Sequence, residues 1–116
     1  MVIPERGDIL HLNFDPASGK EMLGPHFCLV VSPKAFNARF RLVMVCPISG
    51  GAAEAARNNG FLVSLMGYGL RTDGNVHTHQ LKTLDWTARK ASFVEKVPAA
   101  LIQEVIDRLL SVLEDE

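Results

Sequence analysis

Apolar and polar positions alternate from the start of the chain. In GDILHLNF (7–14), Leu10, Leu12 and Phe14 share one face, and Ile9, His11 and Asn13 the other. A period of two predicts a half-buried strand. DPASGKEMLGP (15–25) holds two prolines and two glycines and predicts a loop. FCLVVS (27–32), stopped by Pro33, and FRLVMVCPI (40–48) are short apolar runs that predict buried strands. SGGAAEAARNNG (49–60) predicts a long mobile connection with a helical turn in its Ala-rich centre. FLVSLM (61–66) and NVHTHQLKTLD (75–85) predict two further strands, with turns in the GYGLRTDG between them.

The end of the chain has a different period. Pro98 stands where the first turn of a helix accepts proline. After it Leu101, Val105, Leu109, Val112 and Leu113 form one stripe, flanked by Ile102 and Ile106. Glu104 and Arg108 make an i,i+4 pair of favourable polarity. The pattern predicts an amphipathic helix of about four to five turns whose stripe is core rather than a partner groove. Several short strands followed by one long helix give an α+β class. The architecture expected is a small, strongly bent antiparallel sheet, barrel-like, capped by the C-terminal helix. With 116 residues and no repeat or linker, residues 1–116 read as a single domain.

Composition narrows the partners. An apolar fraction of 47% and a charged fraction of 22% suit a soluble globular protein. No apolar run approaches the roughly 18 residues of a membrane span, so no membrane partner is expected. Glu5, Arg6 and Asp8 fall where a signal peptide needs an apolar core, which predicts a cytoplasmic protein. The net charge of −1 gives no whole-molecule attraction for nucleic acid, so such binding needs a local patch. Cys28 and Cys46 lie inside apolar runs without CxxC spacing. They read as free buried thiols, with a disulfide between them as the alternative.

Candidate chemistry centres on His77-Thr78-His79. Two residues apart on a strand, the histidines would share a face about 6–7 Å apart. Three readings stand: a metal site, which needs at least a third ligand; two solvated side chains; and a shared site for phosphate or protons, since histidine titrates near neutral pH. His26 follows a Gly-Pro turn. Ser49 ends a strand ahead of Gly50-Gly51, which lacks the lysine and spacing of a P-loop. Lys20 and Glu21 lie in the first loop, where ordinary surface charge is the plain reading.

Taken in order, RGDILHLNFDPASGKE, VVSPKAFN (30–37), VCPISGG (45–51), GFLVSLMGYGLRTDG (60–74) and HQLKTLDWTAR (79–89) resemble the MazF/PemK toxin endoribonucleases of bacterial toxin–antitoxin pairs. The PemK branch is the nearer likeness, through SPKAFN, the SGG turn and GLRTDG. The resemblance implies a homodimer of SH3-like barrels and a cognate antitoxin. It also implies metal-independent cleavage of single-stranded RNA with no cofactor. In that chemistry the ribose 2′-OH attacks the adjacent phosphate, leaving a 2′,3′-cyclic phosphate and a 5′-OH. The reaction needs a base, an acid, and donors for the phosphorane.

The chain departs from the family where charge is expected. His26 falls where the family has a phosphate-stabilising arginine. His77 and His79 match an arginine and an aspartate that act as acid and base in the PemK branch. Lys20 replaces a common loop histidine, while Glu21 fits the pattern. Carried over, the resemblance makes His79 the base and His77 the acid, with His26 and Ser49 on the scissile phosphate. Substrate contacts fall to Lys20, Glu21, Gly50, Arg57, Phe61, Arg71 and Asp73, and Arg41 joins the basic residues along the RNA path. Two other readings remain. One is a toxin-fold binding module, weak or inactive as an enzyme, acting on a protein such as an antitoxin or gyrase. The other is a metal-assisted hydrolase using His77 and His79.

Overall fold

The computed structural model describes residues 2–50 and 60–114. Seven antiparallel strands form one bent sheet: β1 (Asp8–Asn13), β2 (Pro25–Val30), β3 (Leu42–Ser49), β4 (Leu62–Ser64), β5 (Asn75–His77), β6 (Lys82–Asp85) and β7 (Ser92–Lys96). Helix α1 (Lys34–Phe40) joins β2 to β3, and α2 (Ala99–Glu114) closes the chain. The spatial order is β4-β5-β3-β2-β1-β7, with β6 also on β3. This is the α+β barrel-like architecture that the strand count and terminal helix predict.

The eight-residue β3 organises the sheet. One edge pairs with β2. The other is shared: its first half pairs with β6, and its end with β5. The run 75–85 is thus not the single strand its pattern predicts. It keeps to one edge of β3 but breaks at a 3₁₀ turn, Thr78–Gln80. Across that break the register on β3 shifts by three residues, so the turn is extruded from the ladder.

Apolar side chains fill both sides of the sheet. Leu10, Leu12, Phe14, Cys28, Val30, Val43, Val45, Leu84 and Trp86 pack inside the bend. Ile9, Leu29, Cys46, Ile48, Val63 and Val76 pack on the other side, against Leu101, Val105 and Leu109 of α2. Ile9 therefore belongs to a second core rather than to a solvated face. Burying each such side chain contributes about 1.5–3 kcal/mol, and most of α2 is held this way rather than by propensity. Its last turn is not: Val112 and Leu113 are 48% and 74% exposed, so the stripe is core only as far as Leu109. The Glu104–Arg108 pair forms at 3.8 Å.

Cys28 and Cys46 are free and buried. Their partners across β2 and β3 are Pro47 and Leu29, so adjacent rows send the two thiols to opposite faces. A disulfide between them is geometrically excluded. Burial pushes the Cys46 thiol up to about 12 and the Cys28 thiol higher still.

Two elements have little sequence signal. Helix α1 lacks a side-chain N-cap bond, follows Pro33, and ends on Arg41 in the left-handed region (φ 52°). Tertiary bonds hold it. Asn37, fully buried, donates to the carbonyls of Pro4 and Ser32 and accepts the Ser32 hydroxyl, and its own carbonyl accepts the Trp86 indole N–H. Strand β7 is half-exposed on both faces and pairs with β1 through a bulge. The predicted Ala-rich turn, and most of the connection that contains it, lies outside the described residues.

Candidate functional site

The sheet register aligns the candidate residues before any side chain is considered. Leu12 faces His26 across β1 and β2. Continuing the β2–β3 register by one residue sets His26 opposite Ser49, and Ser49 faces Asn75. His77 is two positions beyond Asn75 and so shares its face. His26, Ser49, Asn75 and His77 thus form a polar end to the face whose apolar part holds Leu10 and Cys28. Gly74 permits the close approach of β5 to the end of β3. Its φ is +119°, and a Cβ there would meet the Gly50 carbonyl oxygen at 3.2 Å.

The extruded turn then separates the two histidines. His77 is 5% exposed, and its Nε2 lies 3.3 Å from the Ser49 carbonyl oxygen. His79 is exposed. The ring centroids are 5.5 Å apart with planes tilted by 36°. The pair is therefore adjacent, as expected, but by way of a 3₁₀ turn instead of one strand face. On the far side of His79 the half-exposed Phe61 ring lies at 6.3 Å. The Phe61 carbonyl accepts both the N–H and the hydroxyl of Thr78, fixing the turn from below.

His79 opens onto a cleft of about 540 Å³ lined also by Ser18, Lys20, Glu21, Gln80, Leu81 and Lys82. Lys82 donates to Glu21 at 2.9 Å. That bond, with the Ser18 N–H, holds the Glu21 carboxyl below its ordinary range. Gln80 and Lys82 are among the cleft residues that sequence reasoning missed, with Ser18 and Leu81. The signal for Gln80 and Lys82 was proximity in sequence to His79, which a strand reading would have sent to alternate faces.

The structure brings His77, His79, Ser49, Phe61, Lys20 and Glu21 together, with His26 on the same sheet face, its ring edge-on to Phe14 at 6.4 Å. Gly50 adjoins Gly74, and Asp73 is exposed on the preceding turn. Arg71 is directed to β7 instead. It donates to the Val94 carbonyl and pairs at 3.9 Å with Glu95, whose carboxyl Thr72 holds below its ordinary range. Arg41 caps α1 at the opposite end of β3 from Ser49, roughly 25 Å away at the strand rise. Arg57 lies outside the described residues. Among the described residues, no three His, Cys, Asp or Glu side chains gather as a metal-holding group.

A bent antiparallel sheet backed by a C-terminal helix, with an extruded histidine turn facing the β1–β2 loop across a cleft, defines a small barrel-like α+β protein. A family model described as PemK-like, MazF-like toxin of type II toxin–antitoxin system matches residues 5–113, and the chain belongs to that family. Endoribonuclease PemK of Escherichia coli is 42% identical over 109 residues, spanning 94% of this chain and 81% of the relative. The crystal structure of MazF from Deinococcus radiodurans superposes with a TM-score of 0.88 at 32% identity, covering 98% of this chain and 99% of that one. A MazE–MazF complex from the same organism matches at a TM-score of 0.81 and 29% identity, each chain covered in full.

Proposed function

We propose that residues 1–116 act as one toxin domain, a cytoplasmic endoribonuclease that cleaves single-stranded RNA without a metal ion and is neutralised by an antitoxin protein. The kinship with endoribonuclease PemK and with MazF in its MazE complex supports the activity and the partner. The observation that carries the mechanism is the pair of imidazoles 5.5 Å apart, one of them lining the cleft. In-line displacement at phosphorus needs a base and an acid on opposite sides of the reacting phosphate, and two groups a ring's width apart suit that demand.

In this mechanism His79, exposed in the cleft, takes the 2′-OH proton as the 2′-oxygen bonds to phosphorus. The bond to the 5′-oxygen breaks, and that oxygen takes a proton from His77, whose ring lies 5.5 Å from that of His79. Ser49 and His26 lie on the face where the phosphate would sit. Phe61 offers a stacking surface to a base, and Lys20 offers charge to the backbone. An imidazole at position 26 lacks the bidentate fork of arginine, which predicts weaker phosphate binding than an arginine site would give.

The test is incubation of the pure protein with a long single-stranded RNA in EDTA across pH, with the termini mapped. Cyclic phosphate and 5′-OH ends should appear, with a bell-shaped pH profile in the neutral range. His79→Ala should lose about 10²–10⁴-fold in kcat, the span typical of one general acid–base group. His11 lies on β1 against Phe27, with ring centroids 5.1 Å apart, and serves as the control. Equal losses in folded His11→Ala and His79→Ala would show the site to be misplaced. Binding of an antitoxin by a protein that cleaves no RNA would favour the binding-module reading.

A further inference from the structure

The loop between β1 and β2 is tied to the histidine turn by bonds that the proposed chemistry leaves unused. The loop's ends close on themselves, with Phe14 N–H donating to the Gly24 carbonyl at 2.8 Å and Gly24 N–H to Asp15 at 2.9 Å. Its middle has few contacts of its own, since Ser18, Gly19, Lys20 and Glu21 are all exposed. Such a stretch would sample many conformations unless something outside it held it.

Two side chains from the other wall of the cleft do so. The Gln80 side-chain carbonyl accepts the part-buried main-chain N–H of Met22 at 2.8 Å. Lys82 donates to the Glu21 carboxylate at 2.9 Å, and the same oxygen accepts the Ser18 N–H at 3.3 Å. Gln80 directly follows His79, so one turn of chain carries both the histidine and the hold on the loop.

We propose that Gln80 is a positioning residue, which together with the Glu21–Lys82 pair latches the loop onto the histidine turn and so fixes Lys20 opposite His79 across the cleft. Of the two ties Gln80 dominates. The ion pair is solvent-exposed and salt-screened, whereas an unmade bond to Met22 strands a part-buried main-chain donor. On this account Glu21 anchors the loop and does not contact RNA. Its carboxylate is taken up by Lys82 and Ser18, and a second negative group facing a phosphate would repel it. The effect on cleavage rests on the reading of the cleft as the RNA site; the latch itself does not.

The experiment compares Gln80→Met, which keeps the length and loses the acceptor, with Gln80→Glu, which keeps an acceptor oxygen. Exchange of the Met22 amide with deuterium is followed by NMR. Cleavage is measured in EDTA, and binding is measured by anisotropy with a labelled 2′-O-methyl RNA that cannot be cut. In Gln80→Met, Met22 should exchange at least about fivefold faster, the change expected when a typical hydrogen bond is lost. Kd for the uncut RNA and KM should rise by about the same factor, with kcat within about twofold, as for lost uniform binding. Gln80→Glu should keep the wild-type protection of Met22. Unchanged Met22 exchange in Gln80→Met overturns the latch. Faster exchange with unchanged Kd overturns its role in RNA binding. A wild-type protein that binds the probe but cuts no RNA refutes the nuclease mechanism and leaves the latch to be decided by the first two measurements.

Discussion

Replacing Asn37 with alanine should be among the most damaging single substitutions in the chain, because one side chain satisfies three buried elements. Its amide donates to the Pro4 carbonyl at 2.8 Å and the Ser32 carbonyl at 3.2 Å, and its oxygen accepts the Ser32 hydroxyl at 2.5 Å. Alanine strands the Pro4 carbonyl and the Ser32 hydroxyl proton in a site with no exposed surface at residue 37. Each stranded group costs about 1–3 kcal/mol. The expected loss is therefore about 2–6 kcal/mol, a large part of the roughly 5–15 kcal/mol that holds a typical domain. Trp86 is the one tryptophan in the chain, and its indole donates to the Asn37 carbonyl at 3.0 Å, so its fluorescence reports on this junction. Urea unfolding of Asn37→Ala should show a lower midpoint with an unchanged slope. Ser32→Ala breaks the same network by leaving the Met44 N–H without its 2.9 Å acceptor. The double variant should therefore lose less than the sum of the two singles. A loss under about 1 kcal/mol for Asn37→Ala, or strict additivity with Ser32→Ala, would refute the reasoning that a shared buried network fixes α1.

Two further outcomes are expected. Leu109→Ala should cost about 2–5 kcal/mol, whereas Leu113→Ala, at a residue 74% exposed, should change thermal stability little; equal melting shifts would contradict the placement of α2. We propose a homodimer in solution, so light scattering should return twice the chain mass, and a monomeric mass at micromolar concentration would refute it.

Much of the fold was legible because burial imposes a period. Alternation in residues 7–14, the short apolar runs in β2 and β3, and the 3.6-residue stripe of α2 each follow from one face meeting a core. The features that escaped do so for identifiable reasons. Helix α1 has only a seven-residue span, no N-cap side-chain bond and tertiary anchors, so its local signal is weak. Strand β7 alternates poorly because neither face is fully covered. Alternation alone predicts one buried face for β1, and Ile9 is buried on the other because this sheet has two cores. At the site, the family pattern led to His77, His79, Ser49 and Lys20, which the structure gathers. It could not show that Arg71 would be held on β7, since Glu95 lies 24 positions later in the chain.

The break in the 75–85 run links the fold to the chemistry. Had the run continued as one strand, His77 and His79 would have kept the same face and similar burial. The three-residue shift against β3 instead leaves His77 in the ladder, beneath the Ser49 carbonyl, and lifts His79 into solvent beside Lys20. Two side chains of the same type thereby acquire different environments, one buried in the ladder and one exposed at the cleft. It also explains why the turn needs support from both sides. Thr78 is bonded to Phe61 on one wall and Gln80 to Met22 on the other, because an extruded turn has given up its own ladder bonds.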